Sequence, residues 1–396
     1  MMRIGIDATF ENPGRPSGAT GYMINLLRCL AQIDGENEYF IFTSEASRSL
    51  YEFAQQNFHF VSCWASNERR GMRIAAQQLQ IPSLVRRYRL DVFNEPANVA
   101  PLALGCPLVL TIKTMHHVHF AEQIGWTRAA FRKSMVRASA KKAHIIIANS
   151  TSNRDDIVRY LDVAPEKVVI IHEAVDKDRF RPDLAEAEVD AKLQEKGVSR
   201  PFILNVSTVW RYKNQVRLVQ AYGRLVKEQR IPHSLVLIGD EGDQPDYAWK
   251  VRDEVRSAGL EERVKFLGYL PHSEIIYFYR SADLFVYPSL FETFGLTLLE
   301  AMACGAPIVC SDRGSLPEIL ADAGLLVDPE DVSAIELAMA RVLRDRPLRD
   351  QLVRNGARRL QDFSWEKTAR QTREVFLRAG SVAGIRRQMP LRLGAS

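Results

Sequence analysis

The chain has 396 residues with 46% apolar and 26% charged side chains, the composition of a globular protein and not of a disordered, collagen-like or low-complexity chain. At about 150 residues per domain the length suggests two domains. The net charge is +5 and the five cysteines (29, 63, 106, 304 and 310) include no CxxC pair, so neither a disulfide framework nor a zinc site is expected.

In chain order, MMRIGIDATF reads as an opening β-strand and lacks the charged and apolar regions of a signal peptide, so a cytoplasmic location is expected. EYFIFT, DVFN, PLVLTI, AHIIIAN and KVVIIHE follow as strands, with MINLLRCLAQI as a helix among them. The polar stretch from 176 to 201 interrupts the alternation and is taken as an interdomain linker. FILNVS, SLVLIGD, VKFLGY, DLFVYPS and PIVCSD then repeat the strand pattern, with the helix VRLVQAYGRLVKEQ after the first of them. After residue 329 only helices are expected, and the last residues lose periodicity. Alternating strands and helices predict two α/β domains of doubly wound, Rossmann-like type, covering 1–184 and 199–364, with 365–396 as a terminal helix and tail that returns to the first. Ligands of such sheets bind outside the carboxyl ends of the strands, in the cleft between two such domains.

Charge is unevenly spread. Between Arg69 and Lys142 thirteen basic residues stand against three acidic ones. TRAAFRKSMVRASAKK, which contains Arg128, Arg132 and Lys133, mixes bases with Ala, Phe, Met and Val, a pattern shared by helices lying on an anionic lipid surface and by solvated helix faces. No aromatic-rich stacking segment or nucleic-acid reading motif accompanies it, so nucleic acid is not an expected partner.

The most informative stretch runs from Tyr287 to Asp312. A strand leads into the loop FETFG, and a helix opens near Leu296. Glu292 in the loop and Glu300 in the helix are eight residues apart and address different parts of a ligand. The amides around Phe294, Gly295, Leu296 and Thr297 lie at a helix N-terminus, a ready phosphate site with Gly295 allowing close approach.

PSLFETFGLTLLEAMACGAPIVCSD is similar to the E-x7-E donor-binding motif of the retaining GT-B glycosyltransferases of family 4, a large group of bacterial sugar transferases. SGATGYMINLLRCLA, DVFNEPANVAPL, IIANSTSNRDDI, VVIIHEAVDKDRFRP, VLIGDEG, VKFLGYLPHSEI and GSLPEILADAGLLVDPED resemble family segments in family order. The resemblance implies a GT-B fold and a nucleoside diphosphate sugar donor held by the second domain. It also implies an acceptor, glycan or lipid-linked, on the first domain, and no cofactor or essential metal. By the same resemblance Glu292 contacts sugar hydroxyls, Glu300 the ribose, and the 294–297 amides the sugar and diphosphate. Lys213 matches the family lysine that neutralises the leaving diphosphate. The arginine that often accompanies it is replaced by Ser207, with Arg211, Ser207 or Thr208 as substitutes. Gly18 begins a segment resembling the first-domain glycine loop. Where relatives carry a sugar-contacting histidine this chain has Lys113; either His116 or His117 takes over that contact, or Lys113 meets an acidic group. GSLPEI, as in many hexosyltransferases, tilts the donor toward GDP-mannose. A non-catalytic subunit and a sugar-nucleotide epimerase are the alternatives.

Overall fold

The computed structural model describes residues 1–10, 18–51, 55–64, 70–242 and 244–388. The chain divides into two compact units, one formed by Met1–Glu173 with the chain from Trp365 onward, the other by Ala174–Ser364.

The first unit is built on a parallel sheet of seven strands: β1 (Arg3–Asp7), β2 (Glu38–Ser44), β3 (Phe58–Cys63), β4 (Val92–Glu95), β5 (Leu108–Ile112), β6 (Ile145–Ala148) and β7 (Val168–Ile170). They lie in the order β3-β2-β1-β4-β5-β6-β7. The second unit carries six parallel strands: β8 (Phe202–Val206), β9 (Ser234–Ile238), β10 (Val264–Phe266), β11 (Leu284–Tyr287), β12 (Ile308–Ser311) and β13 (Gly324–Val327), in the order β10-β9-β8-β11-β12-β13. In each sheet the winding reverses beside its first strand, between β1 and β4 and between β8 and β11. At such a switch point the two outgoing loops diverge and leave a crevice for ligand.

Central strands are short apolar runs because helices cover both sheet faces. FILNV of β8 and LFVY of β11 are buried throughout. Two strands escape the sequence pattern. β3 and β13 are edge strands, each paired on one side only and partly exposed, and need no continuous apolar run.

The stretch 176–201 is not a linker. It belongs to the second unit, which begins at Ala174 and not at 199, and the first unit's leading segment ends at Glu173, short of 184. Within it the helix Glu186–Glu195 packs on the helix His272–Ser281, where Tyr277 donates its hydroxyl hydrogen to Glu188 and Lys196 Nζ lies 2.9 Å from Glu274. Polar composition misled because only Val189 and Leu193 of that helix are buried.

The helix Trp365–Gln388 closes the first unit. Val375, Phe376 and Ala379 join the core formed by Tyr22, Met23 and Leu26 of the helix Gly18–Ile33. A polar anchor fixes the register. Buried Asp34 accepts hydrogen bonds from Asn37 Nδ2 at 2.8 Å, Tyr39 Oη at 2.7 Å and Arg373 Nε at 2.9 Å. Burial alone would raise the pKa of its carboxyl, but the hydrogen bonds from the Asn37 and Tyr39 side chains and from the Glu36 and Asn37 amides hold it below the usual value, so Asp34 stays ionised. Asp34→Ala removes the acceptor and strands the donors. The expected loss is ~3 kcal/mol, read from the midpoint and slope of urea denaturation, and a loss below ~1 kcal/mol would show that the anchor does not hold the helix.

Candidate donor-binding site

Loops leaving neighbouring strands build the site in the second unit. β8 runs into a loop ending in the turn Arg211–Lys213, and β11 runs into the loop that carries Glu292. Because β8 and β11 are hydrogen-bonded neighbours, these two loops meet. Lys213 Nζ lies 2.6 Å from Glu292 Oε1 and donates to Tyr287 Oη at 2.7 Å, while Tyr287 donates to Glu292 Oε1 at 2.8 Å. Both charged side chains are about nine-tenths buried. Burial would discharge the ammonium, but the Glu292 carboxylate, with the oxygens of Tyr287 and Tyr212, keeps its pKa well above the ordinary lysine value.

The backbone around Glu292 is fixed from behind. Ser315 donates to the Glu292 carbonyl from its amide at 3.0 Å and from its hydroxyl at 3.1 Å. Gly314 has φ of +61°, and a Cβ there would lie 2.4 Å from the same carbonyl oxygen. Gly295 has φ of +89° and leads into the helix Leu296–Ala303, and a Cβ there would meet Leu316 at 2.7 Å. Both glycines let the backbone take a left-handed turn and pack closely. Asn214, also left-handed with φ of +64°, ties the two loops together through bonds from Nδ2 to the carbonyls of Pro288 and Pro329.

Glu300 lies on the helix Leu296–Ala303 in a different environment. It is 4% exposed, accepts from Tyr279 Oη at 3.0 Å and has His272 Nε2 at 3.7 Å. Burial pushes its pKa up to about 7, against the opposing Tyr279 hydrogen bond and the charge of Arg179. The His272 pKa is pushed down by its own burial, and the imidazole supplies no full countercharge.

Other expected positions are placed as follows. Phe294 is buried with its ring edge-on to Phe363, so its side chain serves packing and only its backbone faces the turn. Leu296 and Thr297 form the first turn of the helix, whose amides have no intrahelical acceptor. The Ser207 hydroxyl donates to Asn205 Oδ1 and accepts from Gln215 Nε2, so it is spent on its own strand network. Arg211 is exposed and forms no ion pair among the described residues. Gly18 is the exposed first residue of the helix Gly18–Ile33, so the glycine segment 18–21 forms that helix's first turn and not a loop before it, and a Cβ at Gly18 would meet nothing within 4 Å; residues 11–17, which precede it, lie outside the described residues.

In the first unit Lys113 meets an acidic group. Its Nζ lies 3.4 Å from Glu173 Oε2 and 3.2 Å above the centre of the Tyr22 ring, while Asn149 Nδ2 donates to Glu173 Oε1 at 3.1 Å. HHVH forms one helical turn, His116–His119, and not an open loop. His117 is 4% exposed, its pKa is pushed down to about 4 by burial and by the charges of Arg132, His119 and Lys133, and its Nε2 has no hydrogen-bond partner among the described residues. His119 Nε2 pairs with Asp156 at 2.6 Å, and the partly buried His116 packs edge-on to Phe120. No group of three or more His, Cys, Asp or Glu placed to hold a metal ion occurs among the described residues.

Residues 16–179 match the family model described as Glycosyltransferase Family 4, and residues 188–359 match Glycosyl transferases group 1. The alpha-maltose-1-phosphate synthase of Mycolicibacterium smegmatis is 32% identical over 299 residues, covering 70% of this chain and 75% of that protein. The chain belongs to the family 4 glycosyltransferases. The O-antigen chain mannosyltransferase B of Escherichia coli is 34% identical over 250 residues, which cover 63% of this chain and 64% of the relative's length. Among solved structures, sucrose-phosphate synthase of Thermosynechococcus elongatus superposes with a TM-score of 0.77 at 22% identity, covering 96% and 100% of the two chains. HepE of Anabaena, solved with UDP-glucose, gives a TM-score of 0.74 at 21% identity over 95% and 99%. The fold is GT-B, with two Rossmann-like domains.

The sequence reading missed Tyr287, which stands in plain view in DLFVYPS, and the supporting role of Gly314 and Ser315. A strand buried on both faces gives no sign of which side chain at its carboxyl end turns toward a neighbouring loop.

The environment of Glu300 sets a pH signature. Its folded-state pKa, about 7, lies above the ordinary glutamate value of about 4.5, so the carboxyl costs nothing when protonated and its burial penalty grows as pH rises between the two values. Glu300→Gln keeps an acceptor for Tyr279 and removes the charge. The variant is expected to melt higher than the parent at pH 8, with the difference fading toward pH 5; a difference independent of pH would show that Glu300 is not the titrating group.

Proposed function

We propose that the protein transfers a hexose from a nucleoside diphosphate sugar, with retention at the anomeric carbon, to a hydroxyl of a glycan or lipid-linked acceptor in surface polysaccharide synthesis. The observation that carries this reading is the buried Lys213–Glu292 pair, bridged by Tyr287 and set beside a glycine-led helix start. In the free protein Glu292 neutralises Lys213. A bound diphosphate offers the ammonium a second anion, and its charge grows as the glycosidic bond breaks, so Lys213 stabilises the transition state more than the ground state. Tyr287 remains a donor to Glu292, whose carboxylate is then available to sugar hydroxyls. Glu300, one helical stretch further on, accepts from the ribose diol.

Both motif glutamates are assigned to binding, and front-face substitution then accounts for retention. The bond from the anomeric carbon to the leaving phosphate breaks, the bond to the acceptor oxygen forms on the same face, and the acceptor proton passes to the phosphate oxygen. Positioning and charge stabilisation supply the rate. The mannosyltransferase relative supports GDP-mannose as donor, and HepE, solved with UDP-glucose, makes UDP-glucose the competitor to test.

Lys213→Ala is expected to lower kcat for sugar transfer at least tenfold, equivalent to ~1.4 kcal/mol, with little change in affinity for the uncharged nucleoside. Glu300→Ala is expected to weaken nucleoside diphosphate binding by ~1–3 kcal/mol in calorimetry, because ribose hydroxyls lose their acceptor. GDP should raise the melting temperature more than UDP. Preserved turnover in the first variant removes Lys213 from the reaction, and a UDP preference removes GDP-mannose.

We further propose that the enzyme works from the cytoplasm at an anionic membrane surface. No described helix is long and apolar enough to cross a membrane. The helix Trp126–Lys142 has no single apolar face; what it offers an anionic surface is its bases, with Trp126, 81% exposed, and Phe131, 48% exposed, among them. Arg137 and Lys141 lie 3.2 and 3.5 Å from Asp162; the test substitutes Arg132 and Lys133, the bases that follow Phe131. At low salt the protein should co-sediment with anionic and not neutral liposomes, and Arg132→Glu with Lys133→Glu should release it while nucleotide binding persists. Equal sedimentation with both lipids, or with neither, would favour a solvated face and a soluble acceptor.

A further inference from the structure

The second unit contains a cavity of about 720 Å³, within the size range of small-molecule pockets. Pro201, Asp283 and Pro307 line it, and each immediately precedes a strand: β8, β11 and β12. The cavity therefore opens at the amino ends of the sheet, whereas Lys213 and Glu292 follow the carboxyl ends. A strand of five residues separates the two ends by roughly 15 Å.

Four arginines line this open cavity, Arg200, Arg280, Arg349 and Arg354, together with Asp283 and Asp350, and Glu186 and Asp190 stand just outside it. Arg200 and Arg280 both pair with Glu186 at 2.9 Å, with Arg280 Nε also donating to the Pro182 carbonyl at 2.6 Å. One carboxylate thus serves two guanidinium groups, assisted at Arg200 by Asp190 at 3.3 Å. The other two are weakly matched. Arg349 reaches Asp283 only at 3.9 Å, and Asp283 also accepts from the Phe202 amide. Arg354 is exposed and forms no ion pair among the described residues. Arg349 and Arg354, on the one helix Arg346–Arg359, are the two whose charge is incompletely matched and is left for an anion. Guanidinium forks match phosphate oxygens in geometry as well as charge. Pro201, Ala282, Pro307 and Val353 add an apolar part to the wall, beside Ser281 and Gly305.

We propose that this cavity is a second ligand site, separate from the donor site, for a small organic phosphate: the phosphate meets Arg349 and Arg354, and the carbon body lies on Pro201, Pro307 and Val353. An acidic peptide would not need the apolar wall, and an inorganic anion would not use it.

The probe is phenyl phosphate, titrated calorimetrically into the full-length protein, with inorganic phosphate as the parallel arm. Saturable binding of phenyl phosphate is expected, at least threefold tighter than inorganic phosphate. Arg349→Glu with Arg354→Glu should weaken it at least tenfold while GDP or UDP binding is unchanged, and Lys213→Ala should leave phenyl phosphate binding intact. If the double variant does not fold, Arg354→Glu alone, at an exposed position, should still weaken binding at least threefold. No saturable binding, binding indifferent to the arginine changes, or loss of binding in Lys213→Ala would overturn the site. Equal affinity for the two phosphates would overturn the organic ligand. These outcomes do not depend on sugar transfer, so they stand apart from the tests of the donor site.

Discussion

The contact between Lys213 and Glu292 is a charge pair taken almost wholly out of water. Such a pair costs several kcal/mol of desolvation per ion and adds little net stability compared with well-packed apolar residues. It stands because its surroundings are built to hold it. β8 and β11 lie side by side, Tyr287 bonds to both partners, and Asn214 ties the two loops together. Gly314 and Ser315 fix the Glu292 carbonyl from behind. An interaction so poorly justified by stability and so heavily supported is what a site needs when one charge must be exchanged for another on ligand binding.

Two carboxylates eight residues apart illustrate how environment separates roles. Glu292 faces a cation at 2.6 Å, whereas Glu300 is buried beside a tyrosine and a histidine whose charged form burial disfavours. The same residue type is therefore locked into an ion pair in one place and left near its titration point, about 7, in the other. A locked carboxylate suits a site where charge balance changes during reaction, and a nearly neutral one suits a diol that needs only an acceptor.

The first unit has its own buried polar cluster at the carboxyl ends of its strands. Lys113 is neutralised by Glu173, stacked on Tyr22 and linked through Asn149 to Asn153. At the switch point of the same sheet, Asp7 of β1 and Glu95 of β4 are adjacent, both buried. Burial and the Asp7 charge raise the Glu95 pKa well above the usual range, and Gln77 completes its hydrogen bonding. Both sheets thus concentrate polar groups at the same edge, where parallel strands end and amphipathic cover gives way to loops.

Much of this was legible in the residues. The apolar runs of the central strands followed from burial on both faces, and the spacing of Glu292 and Glu300 followed from the change from loop to helix within one short stretch. Edge strands β3 and β13 escaped because one-sided pairing leaves their pattern mixed, and the helix Glu186–Glu195 escaped because only two of its residues face inward. Sequence by itself determined the class of fold, the order of strands and helices, and which residue types stand at strand ends, because burial periodicity and turn chemistry are local. Tertiary structure alone decided that Tyr287 joins Lys213 to Glu292, that Lys113 finds Glu173 and that His117 is sealed away from water. Lys213 lies 74 positions from Tyr287 and 79 from Glu292, Lys113 lies 60 from Glu173, and the sealing of His117 depends on which elements cover it; no local pattern encodes these.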